Sequence, residues 1–163
     1  MSDTTEALQF LRESNNIEDV WDDDSLIQAF YAWEYLLDQI ALTPHVLLKT
    51  HKILMLHQPL LPNQIGYFRT QDVFIGGRKA PDSFLIDPLI EKWCKDAMTS
   101  IEIPGENASH IKLDHIEYER IHPFVDGNGR TGRLFMNWQR VRAGYSPLTI
   151  LEQDKQEYYD WFK

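Results

Sequence analysis

Three of the eight glycines in this 163-residue chain fall within six positions, at 127, 129 and 132, inside His122-Pro123-Phe124-Val125-Asp126-Gly127-Asn128-Gly129-Arg130-Thr131-Gly132-Arg133. A helical pattern from about Ser109 leads up to His122, where Pro123 stops it because the residue before a proline is pushed out of the α region. A second helical pattern runs from Arg130 to Arg142, with Gly144 as its C′ residue and two arginines in the last turn facing the carbonyl end of the dipole. This part of the chain therefore reads as helix, glycine-rich bend, helix. Such a bend leaves several backbone N–H groups without carbonyl partners, and they converge with the positive end of the second helix. The product is an anion cradle.

The side chains around the cradle fit the same chemistry. Arg130 and Arg133, three apart, share one face of the first helical turn, where the dipole disfavours cations unless an anion joins them. Asp126 offers an oxygen ligand for magnesium beside that anion. His122 is a base whose ordinary pKa near 6.5 lets it accept a proton around neutrality. The glycines also satisfy G-x-G-x-x-G, but a dinucleotide fold needs a strand before the first glycine and a βαβ unit around it, whereas here a helix and a proline precede. There is no G-x-x-x-x-G-K-[ST] and no H-R-D loop. Among histidines 45, 51, 57, 110, 115 and 122 no pair stands four apart, so the zinc-protease helix pattern is missing too.

The rest of the chain is mainly helical by periodicity. Leu26, Phe30, Trp33, Leu37 and Ile40 form one stripe, predicting a core helix from Ser25 to about Leu42. Thr43-Pro44 pairs an N-cap with a proline at the first helical position and predicts a helix to about Leu56. Asp87-Pro88 repeats that signal before Ile90, Trp93, Cys94, Ala97 and Ile101, and Pro104-Gly105 closes the element. Asp154 to Phe162 reads as a short last helix. Only Val73-Phe74-Ile75, followed by Gly76-Gly77 and Arg78-Lys79, has the look of β structure, a small hairpin with glycines at its turn. No repeat or linker divides the chain, so 1–163 reads as one domain, with an N-terminal segment 1–24, a core 25–150 and a flap 66–81.

Charge narrows the partners. The net charge is −9, and residues 1–40 alone hold ten acids against the single base Arg12. Residues 120–145 reverse the sign, with Arg120, Arg130, Arg133, Arg140 and Arg142 against Asp126. One basic island in an acidic protein suits a compact anion, since a nucleic-acid partner usually wants a broad basic face and a high pI. Arg140 and Arg142 also read as ordinary solvated helix arginines. No apolar run approaches the roughly 20 residues that cross a bilayer, so no membrane partner is expected. Met1-Ser2-Asp3-Thr4-Thr5-Glu6 lacks a basic n-region and an apolar h-region, and Cys94 is the only cysteine; both point to a cytoplasmic protein.

The twelve residues from His122 to Arg133 resemble the Fic signature, H-P-F-x-[D/E]-G-N-G-R-x-x-R, at every specified position. The resemblance implies a mainly α domain with one β-hairpin flap that transfers AMP from ATP to a Ser, Thr or Tyr hydroxyl of a target protein or of itself. It implies that His122 deprotonates the hydroxyl, that Asp126 holds a magnesium ion bridging the α- and β-phosphates, and that Phe124 anchors the loop. Backbone groups at Gly127, Asn128 and Gly129, with the Asn128 side chain, are expected on the α- and β-phosphates, and Arg130 and Arg133 at the β/γ end. Such catalysis is mostly in-line positioning and neutralisation of spread charge. Gly66-Tyr67-Phe68-Arg69 leading into Val73, Phe74, Ile75, Gly76 and Gly77 looks like the family's flap, which docks an extended target segment by strand addition. An ordinary surface hairpin has the same sequence. A homo-oligomer is compatible with the aromatic content.

Ser14-Asn15-Asn16-Ile17-Glu18-Asp19 resembles the family's inhibitory pattern, [S/T]-x-x-x-E-[G/N], with Asp19 departing at the last position. The resemblance implies that Glu18 binds Arg133 and keeps the γ-phosphate from its productive pose, since a carboxylate and a phosphate seek the same guanidinium. Without it the segment reads as an acidic helix start, capped by Ser14 or Asn15, with Glu18 in the first turn. Three further functions stay open on the same residues: removal of AMP, transfer of another phosphate-containing group, and nucleotide binding without catalysis. The Doc-type kinase branch carries lysine where this chain has Gly129.

Overall fold

A computed structural model describes residues 4–163 and leaves the first three residues of the 1–24 segment outside the described part. Its order is α1 (Thr4–Ile17), α2 (Asp23–Leu37), α3 (Pro44–Leu54), β1 (Phe74–Ile75), β2 (Arg78–Lys79), α4 (Ile86–Ile101), α5 (Asn107–Ile121), α6 (Asn128–Arg142) and α7 (Lys155–Tyr159), with short 3₁₀ turns between them. The architecture is mainly α with one hairpin, as the periodicity predicts. Among the described residues no helix is long and apolar enough to cross a membrane.

Helix α6 is the axis of the fold. It packs against α1, α2, α3, α4 and α5, and every residue from Thr131 to Gln139 is buried. A helix enclosed on all sides must satisfy whatever polar groups it carries. Asn137 does so by exchanging bonds with the backbone of Leu148, at 3.2 and 2.7 Å, and the Gln139 amide donates to the Ala97 carbonyl and the Asp114 carboxylate. Leu134, Phe135 and Trp138 join Phe10, Trp33, Leu36, Leu47, Ile90 and Trp93 in one hydrophobic cluster. Burying each such large side chain is worth about 1.5–3 kcal/mol. The site at the start of α6 therefore stands on the best-packed part of the molecule.

The caps follow the sequence in part. The Thr43 hydroxyl accepts from Val46 N–H at 3.2 Å with Pro44 in the first turn, as expected. Asp22 caps α2 by accepting from Ser25 N–H at 2.8 Å, two residues earlier than the stripe suggests. That helix stops at Leu37, so Ile40, expected on the buried stripe, lies past its end and is 87% exposed. Asp87 is not an N-cap: a 3₁₀ turn over Ser83–Leu85 feeds α4 at Ile86, and Asp87-Pro88 falls inside the first turn. Proline is tolerated there because first-turn N–H groups have no intrahelical partner. In the hairpin, Phe74 pairs with Lys79 and Ile75 with Arg78, and Gly76 and Gly77 both take the positive φ of a two-residue I′-type turn. Val73 extends the ladder, its carbonyl accepting from Ala80 N–H at 3.0 Å.

Candidate active site

His122 ends α5 in the left-handed region, φ 50°, with its N–H on the Tyr118 carbonyl. That turn redirects the chain and swings the imidazole to the rim of a cleft of about 1060 Å³. Nδ1 lies 3.3 Å from the Glu119 carbonyl oxygen, which can only accept, so Nδ1 carries the ring hydrogen and Nε2 the lone pair. Burial lowers the pKa of His122, chiefly by desolvation, so the ring is neutral at pH 7. The buried Arg69 holds the turn from behind. Its Nε donates to the His122 carbonyl at 2.7 Å, Nη2 to the Ile121 and Pro81 carbonyls, and Nη1 to the Gln71 carbonyl, tying the turn at His122 to the base of the hairpin.

The bend beyond His122 is built as a clamp. Phe124 is fully buried, its N–H donates to Asn128 Oδ1 at 2.9 Å, and its carbonyl accepts from Asn128 Nδ2 at 2.8 Å. The Asn128 side chain thus fixes the loop through both of its ends, one amide hydrogen remaining beyond these two bonds. His51 stacks on Phe124 at 3.8 Å, donates from Nε2 to the Asp126 carbonyl at 2.8 Å and accepts the Gly66 N–H at Nδ1. Burial pushes its pKa down to about 4, so it holds the loop as a neutral ring. Gly127, φ 84°, has Met55 Sδ only 2.8 Å from where a Cβ would stand. Both its conformation and the space require glycine.

The cradle opens toward the cleft, which Gly127, Asn128, Gly129, Arg130 and Arg133 line together with Glu18 and His122. Arg130 is 4% exposed, and its Nε and Nη1 have no hydrogen-bond partner among the described residues. Its one ion pair among the described residues is with Asp126 Oδ2, at 3.8 Å. Burial pulls its pKa down, yet a guanidinium stays charged, so the cradle offers a buried cation with unspent donors. Asp126 gives Oδ1 to Gly127 N–H at 2.8 Å and keeps a side chain that is 59% exposed.

Arg133, one turn on, is in the opposite condition. Nε donates to Ser14 Oγ at 2.8 Å, Nη2 to the Ser14 carbonyl at 2.9 Å and to Glu18 Oε1 at 2.8 Å, and Nη1 to Tyr158 Oη at 3.1 Å. Ser14 lies in the last turn of α1, so it caps no helix start, and Glu18 follows that helix directly. Asp19 takes φ 56°, its N–H bonding the Asn16 carbonyl while Val20 N–H bonds the Asn15 carbonyl. Those two bonds are a Schellman ending with Asp19 at C′. Aspartate thus adopts the geometry that glycine or asparagine gives more readily, and the departure from the inhibitory pattern leaves the aim of Glu18 unchanged. At Gly129 a Cβ would collide with Glu18 Oε1 and come within 3.0 Å of Arg133 Nη1, so a side chain at 129 would require the carboxylate to shift.

A family model described as the Fic/DOC family matches residues 41–139. The chain belongs to the Fic/DOC family. The proteins named Protein adenylyltransferase Fic from Drosophila melanogaster and Drosophila persimilis are each 36% identical to it, over 131 and 133 residues, 78% of this chain but 26% and 25% of theirs. The chain thus spans about a quarter of the length of these relatives. A Fic domain containing signaling protein from Bacteroides thetaiotaomicron superposes with a TM-score of 0.78 at 20% identity, over 96% of this chain and 70% of that one. Fic-1 (aa134–508) from C. elegans gives 0.78 at 17% identity, over 98% and 58%. At such identities these likenesses speak for the fold alone.

Within this Fic domain the structure gathers His122, Asp126, Gly127, Asn128, Gly129, Arg130, Arg133 and Glu18 around one cleft, with Ile75 and Gly76 of the hairpin on the same lining. Val73 and Phe74 lie off that lining. Three residues escape the sequence reading: His51, Arg69 and Tyr158. Their partners lie 75, 53 and 25 positions away, so local spacing carries no trace of them.

Proposed function

We propose that this chain transfers AMP from ATP to a Ser, Thr or Tyr hydroxyl of a target protein or of itself, with Glu18 restraining the reaction. The observation that carries the reading is the lone pair on His122 Nε2 beside a cleft that the start of α6 and the unspent donors of Arg130 line. Nε2 takes the proton from the hydroxyl, its oxygen bonds to the α-phosphorus, and the bond to the bridging oxygen breaks with pyrophosphate as the leaving group. Arg130 and the backbone at Gly127–Gly129 hold the phosphates in line and neutralise the charge that spreads over them. The names of the similar Drosophila proteins support the same chemistry.

Asp126 fits magnesium in the manner of phosphate enzymes, which bind the ion through one or two carboxylates and the substrate's own oxygens. Its exposed carboxylate borders the cradle, with Oδ2 3.8 Å from Arg130 Nη2, so the ion would lean on this one carboxylate and on the substrate's oxygens. When bound there, magnesium would neutralise phosphate charge. The hairpin supports target docking by strand addition: Phe74 is 69% exposed, and β2 residues Arg78 and Lys79 line the cleft.

Glu18→Gly frees one Nη2 hydrogen of Arg133 and should raise AMP incorporation from α-labelled ATP by about tenfold or more, the scale of one strong charge-assisted contact. An unchanged rate at every ATP concentration contradicts the restraint. Mass spectrometry reads the group transferred, because AMP adds about 329 Da and phosphate about 80 Da. A second reading, removal of AMP, is favoured by the same Glu18: its carboxylate keeps 35% exposure beside the cradle, where it can orient a water. Incubating a modified target with the unsubstituted protein distinguishes it, since loss of the AMP mass would require Glu18.

A further inference from the structure

The holder of Arg133 that does not come from α1 is Tyr158, in α7. This segment follows residue 139, where the family match ends. Tyr158 is 3% exposed, its ring lies 5.4 Å from the guanidinium carbon, and its hydroxyl sits between Arg133 Nη1 at 3.1 Å and His115 Nε2 at 2.7 Å. A guanidinium only donates, so the phenol oxygen accepts from Arg133 and its O–H points at His115. Burial raises the phenol pKa, so that proton stays on, and burial drops His115 to about 3, so the ring remains a neutral acceptor at Nε2. A continuous chain of hydrogen bonds thus runs from Arg133 through Tyr158 to His115.

The consequence lies in which hydrogen of Arg133 is left. Tyr158 takes Nη1 and lies within cation–π distance of the guanidinium, Ser14 takes Nε and one Nη2 hydrogen, and Glu18 takes the other Nη2 hydrogen. When Glu18 withdraws, that one Nη2 hydrogen is freed, while Ser14 and Tyr158 still fix the plane from either side. We propose that Tyr158 is a positioning residue that keeps the Nη2 hydrogen released by Glu18 presented to the terminal phosphate of the nucleotide, and so sets the preference for a nucleoside triphosphate over a diphosphate. The C-terminal segment is tied to the restraint as well, since Glu152 N–H donates to Glu13 Oε2 of α1 at 2.7 Å. The proposal rests on the nucleotide-binding part of the function proposed above and does not require transfer.

The test uses the full chain carrying Glu18→Gly, with and without Tyr158→Phe, titrated calorimetrically with ATP and with ADP in magnesium buffer. Tyr158→Phe should weaken ATP about tenfold, the scale of a hydrogen bond to a charged group, and ADP by less than about twofold. Equal losses for both nucleotides, or no loss for either, overturn the proposal. A readout that needs no substitution at 158 guards against a variant that fails to fold: in Glu18→Gly, the Arg133 Nη1 protons should remain separately resolved and slow to exchange by nitrogen-edited NMR. A freely rotating guanidinium there overturns it. A protein that shows the Tyr158-dependent preference yet adds no AMP upholds this inference while refuting the transferase reading.

Discussion

The bend from Pro123 to Gly129 and the collar around Arg133 are one helical turn apart and are held in opposite ways. The bend is fixed by buried neutral groups, Asn128 and His51, bonded to main-chain atoms that have no other partner in view. The collar is made of side chains from both ends of the chain, Ser14 and Glu18 from one side and Tyr158 from the other, 119, 115 and 25 positions from Arg133. Breaking the bend exposes orphaned backbone inside the core. Releasing Glu18 costs one partly exposed ion pair and leaves the fold standing. On the function proposed above, the difference separates what must be permanent for chemistry from what is free to change for control.

That contrast can be broken at four points. His122→Ala removes the base and touches neither the clamp nor the collar, so transfer should fall by about 10²–10⁴-fold while ATP affinity holds. Near-normal turnover in this variant, read by labelled AMP incorporation, would remove the bend from the chemistry altogether. Asn128→Ala should cost about 2 kcal/mol by leaving buried backbone groups unpaired, and urea denaturation reads the loss. A loss of nucleotide affinity with full stability would instead make the amide a phosphate ligand.

The next effect is one of position on the pH axis. Because burial lowers the His122 pKa, the base form persists below the ordinary imidazole value. In the Glu18→Gly protein kcat/KM should therefore stay level as pH falls to 6.5 and decline only below it. A midpoint above 6.5 would mean a proton is held on the ring, contrary to the neutral site described. The smallest change expected is at the collar's support: Asp19→Gly relieves a left-handed aspartate and should stabilise the protein by about 0.5–1 kcal/mol, measured as a rise in Tm.

Legibility in the sequence follows the same division. The bend is written locally, in glycine spacing and the proline that ends α5, so its place between two helices and most of its lining residues are readable from twelve residues. The loop-closing role of Asn128 is not legible because an amide beside phosphates and an amide closing a loop look alike until the Phe124 backbone is seen to bond both its ends. The end of α2 is misread because Ile40 continues the helical spacing although the helix stops at Leu37, three residues before it. Asp19 teaches the reverse: a residue that breaks a motif can still adopt the backbone the motif needs. Arg69 and Tyr158 act across the tertiary fold, and no spacing rule reaches them.

The absent methyl at position 129 ties the two ends of the cleft together. The Glu18 carboxylate rests in the space a side chain there would take, so any larger residue at 129 would have to push that carboxylate off its present seat, although every residue of the N-terminal segment stayed the same.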